Sequence, residues 1–196
     1  MTETGWHWPR PLEGVLFDCA RYAGGAADFE GIEALRRDTF AHRQWLMNRT
    51  PGDPWIVPLM NLRCVYTSMT APRETDVYMT PETLILNQRA LDVLGALAGP
   101  GVTFQPVDTT DGRRLFWTDA PIVPEALDTD LSRLSVMKGE IRSIDQPVLR
   151  KTAIPEGLGF LSLLASRSMP AISTAVVQAM RDADLFGIDI RAIELS

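Results

Sequence analysis

The sequence predicts an α+β fold, a mixed sheet with short amphipathic helices, built as one domain over residues 1–196. Three observations predict it. The stretch from Leu84 to Asp108 recurs without a gap from Pro170 to Glu194, every residue n answered by residue n + 86. Each copy reads as a capped helix, a glycine break and a short strand. Between and after the copies the chain alternates apolar with polar residues at the two-residue period of a half-buried strand.

The first part, residues 1–78, reads as an irregular N-terminal lobe, because Pro9, Pro11, Gly24-Gly25, Pro51-Gly52, Pro54 and Pro72 interrupt it. Within it, Glu30 to Met47 has helical spacing, with Ile32, Leu35 and Phe40 on one side. Trp55-Ile56-Val57 and Leu62 to Tyr66 read as short strands, restricted to an edge by Pro58. A more regular lobe follows over 79–196, with helix–strand units at 84–108 and 170–194.

In those units Asn87 and Ser173 stand where a side-chain oxygen accepts from the free N–H groups of a first helical turn. Leu86 and Ile172 precede the caps, and Leu91 and Val177 lie four residues into the helix, the hydrophobic-staple pairing. Ala90, Leu91, Leu94 and Leu97, and Val176, Val177, Met180 and Ala183, keep helical spacing. Gly101 and Gly187 end the turns where a positive φ suits glycine. Val102 to Val107 and Ile188 to Ile193 then alternate as strands. Asp111-Gly112 marks a hairpin turn before Arg114-Leu115-Phe116-Trp117. Ala126 to Leu134 is polar and turn-rich, Ile141 to Ile144 a weak strand, and Gly159 to Leu164 a buried strand.

An apolar share of 45% and a charged share of 22% fit a soluble globular chain. No run approaches the roughly 18 apolar residues that cross a bilayer, so no membrane segment is expected. The first residues lack a basic stretch followed by an apolar one, so no secretory signal is expected. Cys19 and Cys64 read as reduced thiols, and the expected location is the cytoplasm. A net charge of −6 and a pI near 4.9 argue against nucleic acid as partner and favour a basic one through electrostatic steering.

Signals of chemistry are weak. The two histidines, His7 and His42, stand in no metal-ligand spacing, and no cofactor or metal is expected. GxSxG is absent, Cys19 with His42 has no supporting spacing, and Ala23-Gly24-Gly25-Ala26 lacks the lysine and strand of a phosphate loop. Carboxylates concentrate in Asp108, Asp111, Asp119, Glu125, Asp128 and Asp130, against Arg113 and Arg114. Their turn-rich setting suits a solvated face, since Asp bonds its own backbone there. A partner-binding patch is the alternative, and paired-acid hydrolysis a third. Trp6 and Trp8 join the partner-binding candidates, with core packing as the plain alternative.

The order of elements from Asp76 onward resembles immunity protein family eleven of bacterial polymorphic toxin systems. The aspartate–aromatic segment Asp76-Val77-Tyr78 carries it, with the capped helix Leu86 to Leu91 and the strand Val102-Thr103-Phe104-Gln105-Pro106-Val107. Phe116-Trp117, Val123 to Ser132, the second capped helix Ser173–Met180 and the strand Gly187–Ile190 complete it. Asn87 replaces the usual serine cap, and the strand near Phe160 lacks an expected arginine. The resemblance covers roughly residues 76–196. It implies a non-enzymatic protein that binds a cognate toxin and neutralises it by stoichiometric occlusion. A small carboxylate-dependent hydrolase or ligand-binding enzyme is the alternative, and a subunit of a larger assembly a third.

Overall fold

The structure, a computed structural model, describes residues 5–11, 15–20, 55, 59–66, 75–80, 83–109, 112–164 and 169–196, with the backbone alone at 11, 15–20 and 59–66. Its strands are β1 (Trp6–Pro11), β2 (Val15–Ala20), β3 (Leu59–Tyr66), β4 (Val77–Met79), β5 (Leu84–Leu86), β6 (Thr103–Thr109), β7 (Arg114–Asp119), β8 (Arg133–Met137), β9 (Glu140–Gln146), β10 (Val148–Leu149), β11 (Phe160–Leu161), β12 (Ala171–Ser173) and β13 (Ile188–Leu195). Helix α1 spans Gln88–Leu94 and α2 spans Thr174–Asp182. The predicted α+β class with mixed sheets and short helices is what the chain forms. The expected helix Glu30–Met47 lies outside the described residues, as do Ile56 and Val57.

The strands form a sheet ordered β2-β3-β6-β7-β5-β4, a second ordered β10-β13-β1-β12-β11, and a two-stranded ribbon β8-β9. The sequence repeat has a structural counterpart. In the first sheet β5 and β6 both run antiparallel to β7, so they are parallel to each other and α1 connects them. In the second, β12 and β13 both run antiparallel to β1, and α2 connects them. The registers match. Leu86 faces Phe116 and Gln105 faces Trp117, while Ile172 faces His7 and Arg191 faces Trp8. Outside them, Val77 faces Leu86 as Phe160 faces Ile172. On the other edge Leu59 pairs in parallel with Asp108, as Val148 does with Glu194. Thus β4-β5-β7-β6-β3 repeats as β11-β12-β1-β13-β10.

One strand breaks chain order. β7 follows β6 through a hairpin, whereas its counterpart in the second sheet is the N-terminal β1. This corrects the reading of the first residues as irregular. Pro9 and Pro11 suggested a loop because proline cannot donate to a ladder. However, β12 pairs with β1 only at Trp6 and His7, so Pro9 and Pro11 lie beyond the last β12 partner and interrupt no bond on that side. Leu62 to Tyr66 is a strand as predicted, lengthened to Leu59, and the first unit's strand runs on to Thr109.

The caps form as expected. Asn87 Oδ1 accepts from Ala90 N at 2.8 Å, and Ser173 Oγ accepts from Val176 N at 3.4 Å. Of the two glycine breaks, Gly187 (φ 142°) is also sterically required, since a Cβ there would lie 1.9 Å from the Val77 carbonyl oxygen. The two units also clasp each other. Gly159 N donates to Ala98 O at 2.8 Å, and Asp76 N donates to Phe186 O at 2.8 Å, so the chain after each helix holds the entry to the other unit's outer strand. The expected strand Gly159 to Leu164 shortens to Phe160–Leu161, because Ser162 turns aside to bond Pro121 O and Val123 N.

Three apolar clusters result. The central one joins both helices with residues of both sheets: Leu86, Ala90 and Leu94 from one unit, Ile172, Val176, Val177 and Met180 from the other, and Phe160 between them. A second cluster (Trp6, Leu127, Leu149, Leu161, Ala171 and Ile193 among others) covers the outer face of the β1 sheet. A third (Tyr78, Ile85, Val107, Leu115 and Trp117) covers the outer face of the β7 sheet, with Trp55 against it. Each fully buried aliphatic side chain contributes roughly 1.5–3 kcal/mol, so the shared central cluster is what joins the two units.

Candidate binding surface

The carboxylates singled out in the sequence do not converge. Asp108 sits near the turn of the β6–β7 hairpin, facing Arg114, and Asp119 sits at its far end, facing Thr103. At about 3.3 Å per residue, five residues of strand separate them by roughly 17 Å. Glu125 is exposed on a single 3₁₀ turn, Pro124–Ala126, and Asp130 is exposed in the turn beyond. Asp111 lies outside the described residues.

Asp128 is buried, which corrects its place on a surface patch. Ser196 Oγ donates to its Oδ2 at 2.9 Å, and Arg150 Nε lies 3.5 Å from the same oxygen. Its Oδ1 accepts from Asp130 N (3.2 Å) and Leu131 N (3.3 Å), the side-chain-to-backbone turn that Asp forms readily. The Ser196 hydrogen bond, then those from Arg150, Leu131 N and Asp130 N, hold the carboxyl below the usual range, against the opposing effect of burial. Asp128 therefore ties its own turn to the end of β13.

Trp6 is core, packed in the cluster behind β1. His7 points the other way, its Nε2 3.1 Å from Thr174 Oγ1, an oxygen that also accepts from Gly5 N at 3.0 Å. Burial, then the charge of Arg181, lowers the His7 pKa. Of Cys19 the structure describes the backbone alone, and His42 lies outside the described residues. Among the described residues no group of three or more His, Cys, Asp or Glu could hold a metal ion.

Two features that the sequence reading gave only in part or not at all shape the surface instead. The first is the ribbon, of which the expected weak strand Ile141 to Ile144 forms part of β9, while β8 and its pairing were not expected. β8 and β9 pair only with each other and close through Lys138 (φ 54°) and Gly139 (φ 80°), the two positive φ values of a tight hairpin turn. Leu134, Ile141 and Ile144 anchor the ribbon on the second cluster. Towards its tip, Val136 and Met137 are 58% and 53% exposed, and Leu131 just before β8 is 63% exposed. The signal was present in the alternation of Leu134-Ser135-Val136, but no turn residue other than Gly139 marks the hairpin.

The second is a groove at the base of the ribbon, with a volume of about 170 Å³, lined by Trp8, Arg10, Gln146, Pro147, Arg191, Ala192, Ile193 and Glu194. Trp8 is half-buried there, and among the described residues the side chains of Arg10 and Arg191 make no hydrogen bond or ion pair. Gln146, the last residue of β9, joins groove and ribbon into one surface. A wider hollow of about 300 Å³ lies beside the end of α2, between Arg181, Asp184 and Asp189.

Among the described residues no helix is long and apolar enough to cross a membrane. Compared with models of protein families and with curated proteins, the chain matches none of either.

Proposed function

We propose that this chain is a non-enzymatic immunity protein that binds a cognate bacterial toxin in the cytoplasm and neutralises it by occlusion. The observation that carries the reading is the ribbon Arg133–Gln146, with Leu131, Val136 and Met137 held out to solvent on a rigid sheet scaffold. Exposed apolar side chains beside a polar rim mark interaction sites, and a stable interface needs about 800 Å² from each partner. Glu125 and Asp130, exposed near Leu131, suit a basic partner. The buried carboxylates Asp76 and Asp128 support the same reading, because each is committed to hydrogen bonds that hold the fold. The order of elements from Asp76 to Ser196, on which the family resemblance rests, agrees with it.

The test is growth of cells expressing the product of the neighbouring upstream gene, with this chain supplied in graded amounts. Occlusion predicts killing by the neighbour and rescue in proportion to the amount of this chain, lost when Val136 and Met137 are both replaced by Asp. Rescue by trace amounts would overturn stoichiometric neutralisation, and a harmless neighbour would overturn the pairing.

A further inference from the structure

The repeat supplies a filled copy of the groove at the base of the ribbon. Trp117 on β7 and Trp8 on β1 are equivalent, facing Gln105 and Arg191 respectively. In the first unit Trp55 covers Trp117, the ring centroids 6.3 Å apart at 50°, and its Nε1 donates to Pro106 O at 2.9 Å. Trp117 is left only 3% exposed. Trp55 lies four residues before Leu59, and the counterpart of Leu59 in the second unit is Val148, so the counterpart of Trp55 is Ile144. Isoleucine is smaller and has no donor. A groove of about 170 Å³, lined by polar as well as apolar residues, opens over Trp8 in this unit, and a volume of about 150 Å³ accommodates a benzene ring. The counterpart of Pro106 is Ala192, which lines the groove.

We infer that the groove over Trp8 receives an aromatic side chain of the protein partner, its N–H or O–H directed at the Ala192 carbonyl and a neighbouring carboxylate set between Arg10 and Arg191. The occupant's chemistry follows from the molecule's own filled copy and from charge. The first unit shows an indole on this tryptophan with its N–H on this carbonyl. At the second, Asp119 and Gln105 of the first are replaced by Arg10 and Arg191, whose side chains make no hydrogen bond or ion pair among the described residues, with Glu194 also lining the groove and Asp189 opposite Arg10 in the register. Arginine beside an aromatic face favours a carboxylate-bearing aromatic segment. Buried aromatic anchors dominate binding energy, so the groove is the anchor point and the ribbon the flank. The inference rests on the proposed role as a binding protein, and it specifies which partner segment is gripped.

The test needs no toxin. The peptide N-acetyl-Glu-Trp-Glu-amide is titrated against the full chain while the indole N–H resonance of Trp8, identified by its loss in Trp8→Phe, is followed by NMR. The expected result is a saturable shift with Kd about 1 mM, about tenfold weaker for the Glu-Leu-Glu analogue. Ile144→Trp, which restores the internal plug, abolishes the shift, as does Arg191→Glu, a surface change that decides the matter if Ile144→Trp does not fold. No movement up to about 20 mM peptide, or the same movement in the Arg191→Glu chain, overturns the groove. Failure of the neutralising role is read separately, from growth: a groove that binds peptide in a chain that rescues nothing refutes the role and leaves the site.

Discussion

Asp76 Oδ2 lies 2.8 Å from Arg89 Nη1 and accepts from Phe186 N at 2.9 Å, so one carboxylate joins the start of β4, the first turn of α1 and the chain beyond α2. Its Oδ1 accepts from Asn87 Nδ2 at 3.0 Å, and Arg89 Nη2 donates to Ala183 O. The clasp between the two units therefore centres on a single buried group. At the equivalent position the second unit has Gly159, where a Cβ would lie 2.0 Å from Leu97 O. The pseudo-symmetric contact is charged on one side and close-packed backbone on the other.

Asp76→Ala removes a buried acceptor that serves three donors, two of which, Phe186 N and Asn87 Nδ2, are part-buried. It should cost about 3 kcal/mol, since those donors are left unpaired. Arg89→Ala should cost no more than about 1 kcal/mol, because its side chain is half exposed and water replaces the lost pair. Urea unfolding of both variants checks the ranking; equal losses would mean the ion pair, not the backbone clasp, is what matters.

The caps should differ although the sequence pairs them. Ser173→Ala should cost about 0.5–1 kcal/mol, the lower part of the capping range, because its bond is long at 3.4 Å. Asn87→Ala loses a 2.8 Å cap and also the amide bonds to Asp76 and Thr75, so about 2 kcal/mol is expected. Thermal unfolding of the two variants under one set of conditions measures the difference.

What was legible in the sequence is what local chemistry encodes. Caps, glycine breaks and the period of two fixed both units at 84–108 and 170–194, because each depends on residues within one turn or one strand. The partner of each strand is a different matter. Nothing within Trp6-His7-Trp8-Pro9-Arg10-Pro11 shows that it pairs with β13, because that register depends on residues almost a whole chain length away. Prolines at the end of the strand argued for a loop, and only the shortness of β12 makes them acceptable. Of the candidate site, Trp8 is in the groove and Asp130 is exposed, but Asp128 and Trp6 are interior. Whether an acid or an indole faces water depends on tertiary packing, which the composition of a turn does not specify. Arg10 and Arg191 lie far apart in the chain, and only the pairing of β1 with β13 brings them together.

Thr118 offers a gain. Among the described residues its Oγ1 is buried without a hydrogen-bond partner, and the residue is 2% exposed. Thr118→Val keeps the shape and the β-branch and removes the unmet hydroxyl, so stability should rise by about 1 kcal/mol. A loss in chemical denaturation would show that the hydroxyl has a partner in solution.

His7 gives the fold a pH dependence. Its pKa is lowered from the ordinary 6.5, first by burial and then by Arg181. In the neutral tautomer that carries its proton on Nδ1, Nε2 accepts from the Thr174 hydroxyl. Above pH 6.5 the ring is neutral folded and unfolded, and its contribution is constant. As pH falls through that value the unfolded chain takes up the proton before the folded one, so stability declines. Tm should therefore drop more between about pH 7.5 and pH 5.5 in the native chain than in His7→Gln. Equal drops would assign the dependence to other groups.

The repeat predicts its own rearrangement. Trp6 faces Ile193, so the start of β1 lies beside the end of β13, where the first unit turns directly from β6 into β7. A chain that begins at Val15 and carries residues 5–11 after Ser196, joined by a short turn, places β1 as β7 is placed and closes the same sheet by a local hairpin. Strands paired across a short loop form faster than strands paired across the length of a chain, because less loop-closure entropy is lost beforehand. The permuted chain should therefore fold to the same sheet and refold several-fold faster, with an unfolding rate that changes less. Circular dichroism and stopped-flow fluorescence report both quantities. A permuted chain that lacks the native β signal would show that β1 is held by its connection to β2 and not by the place between β12 and β13.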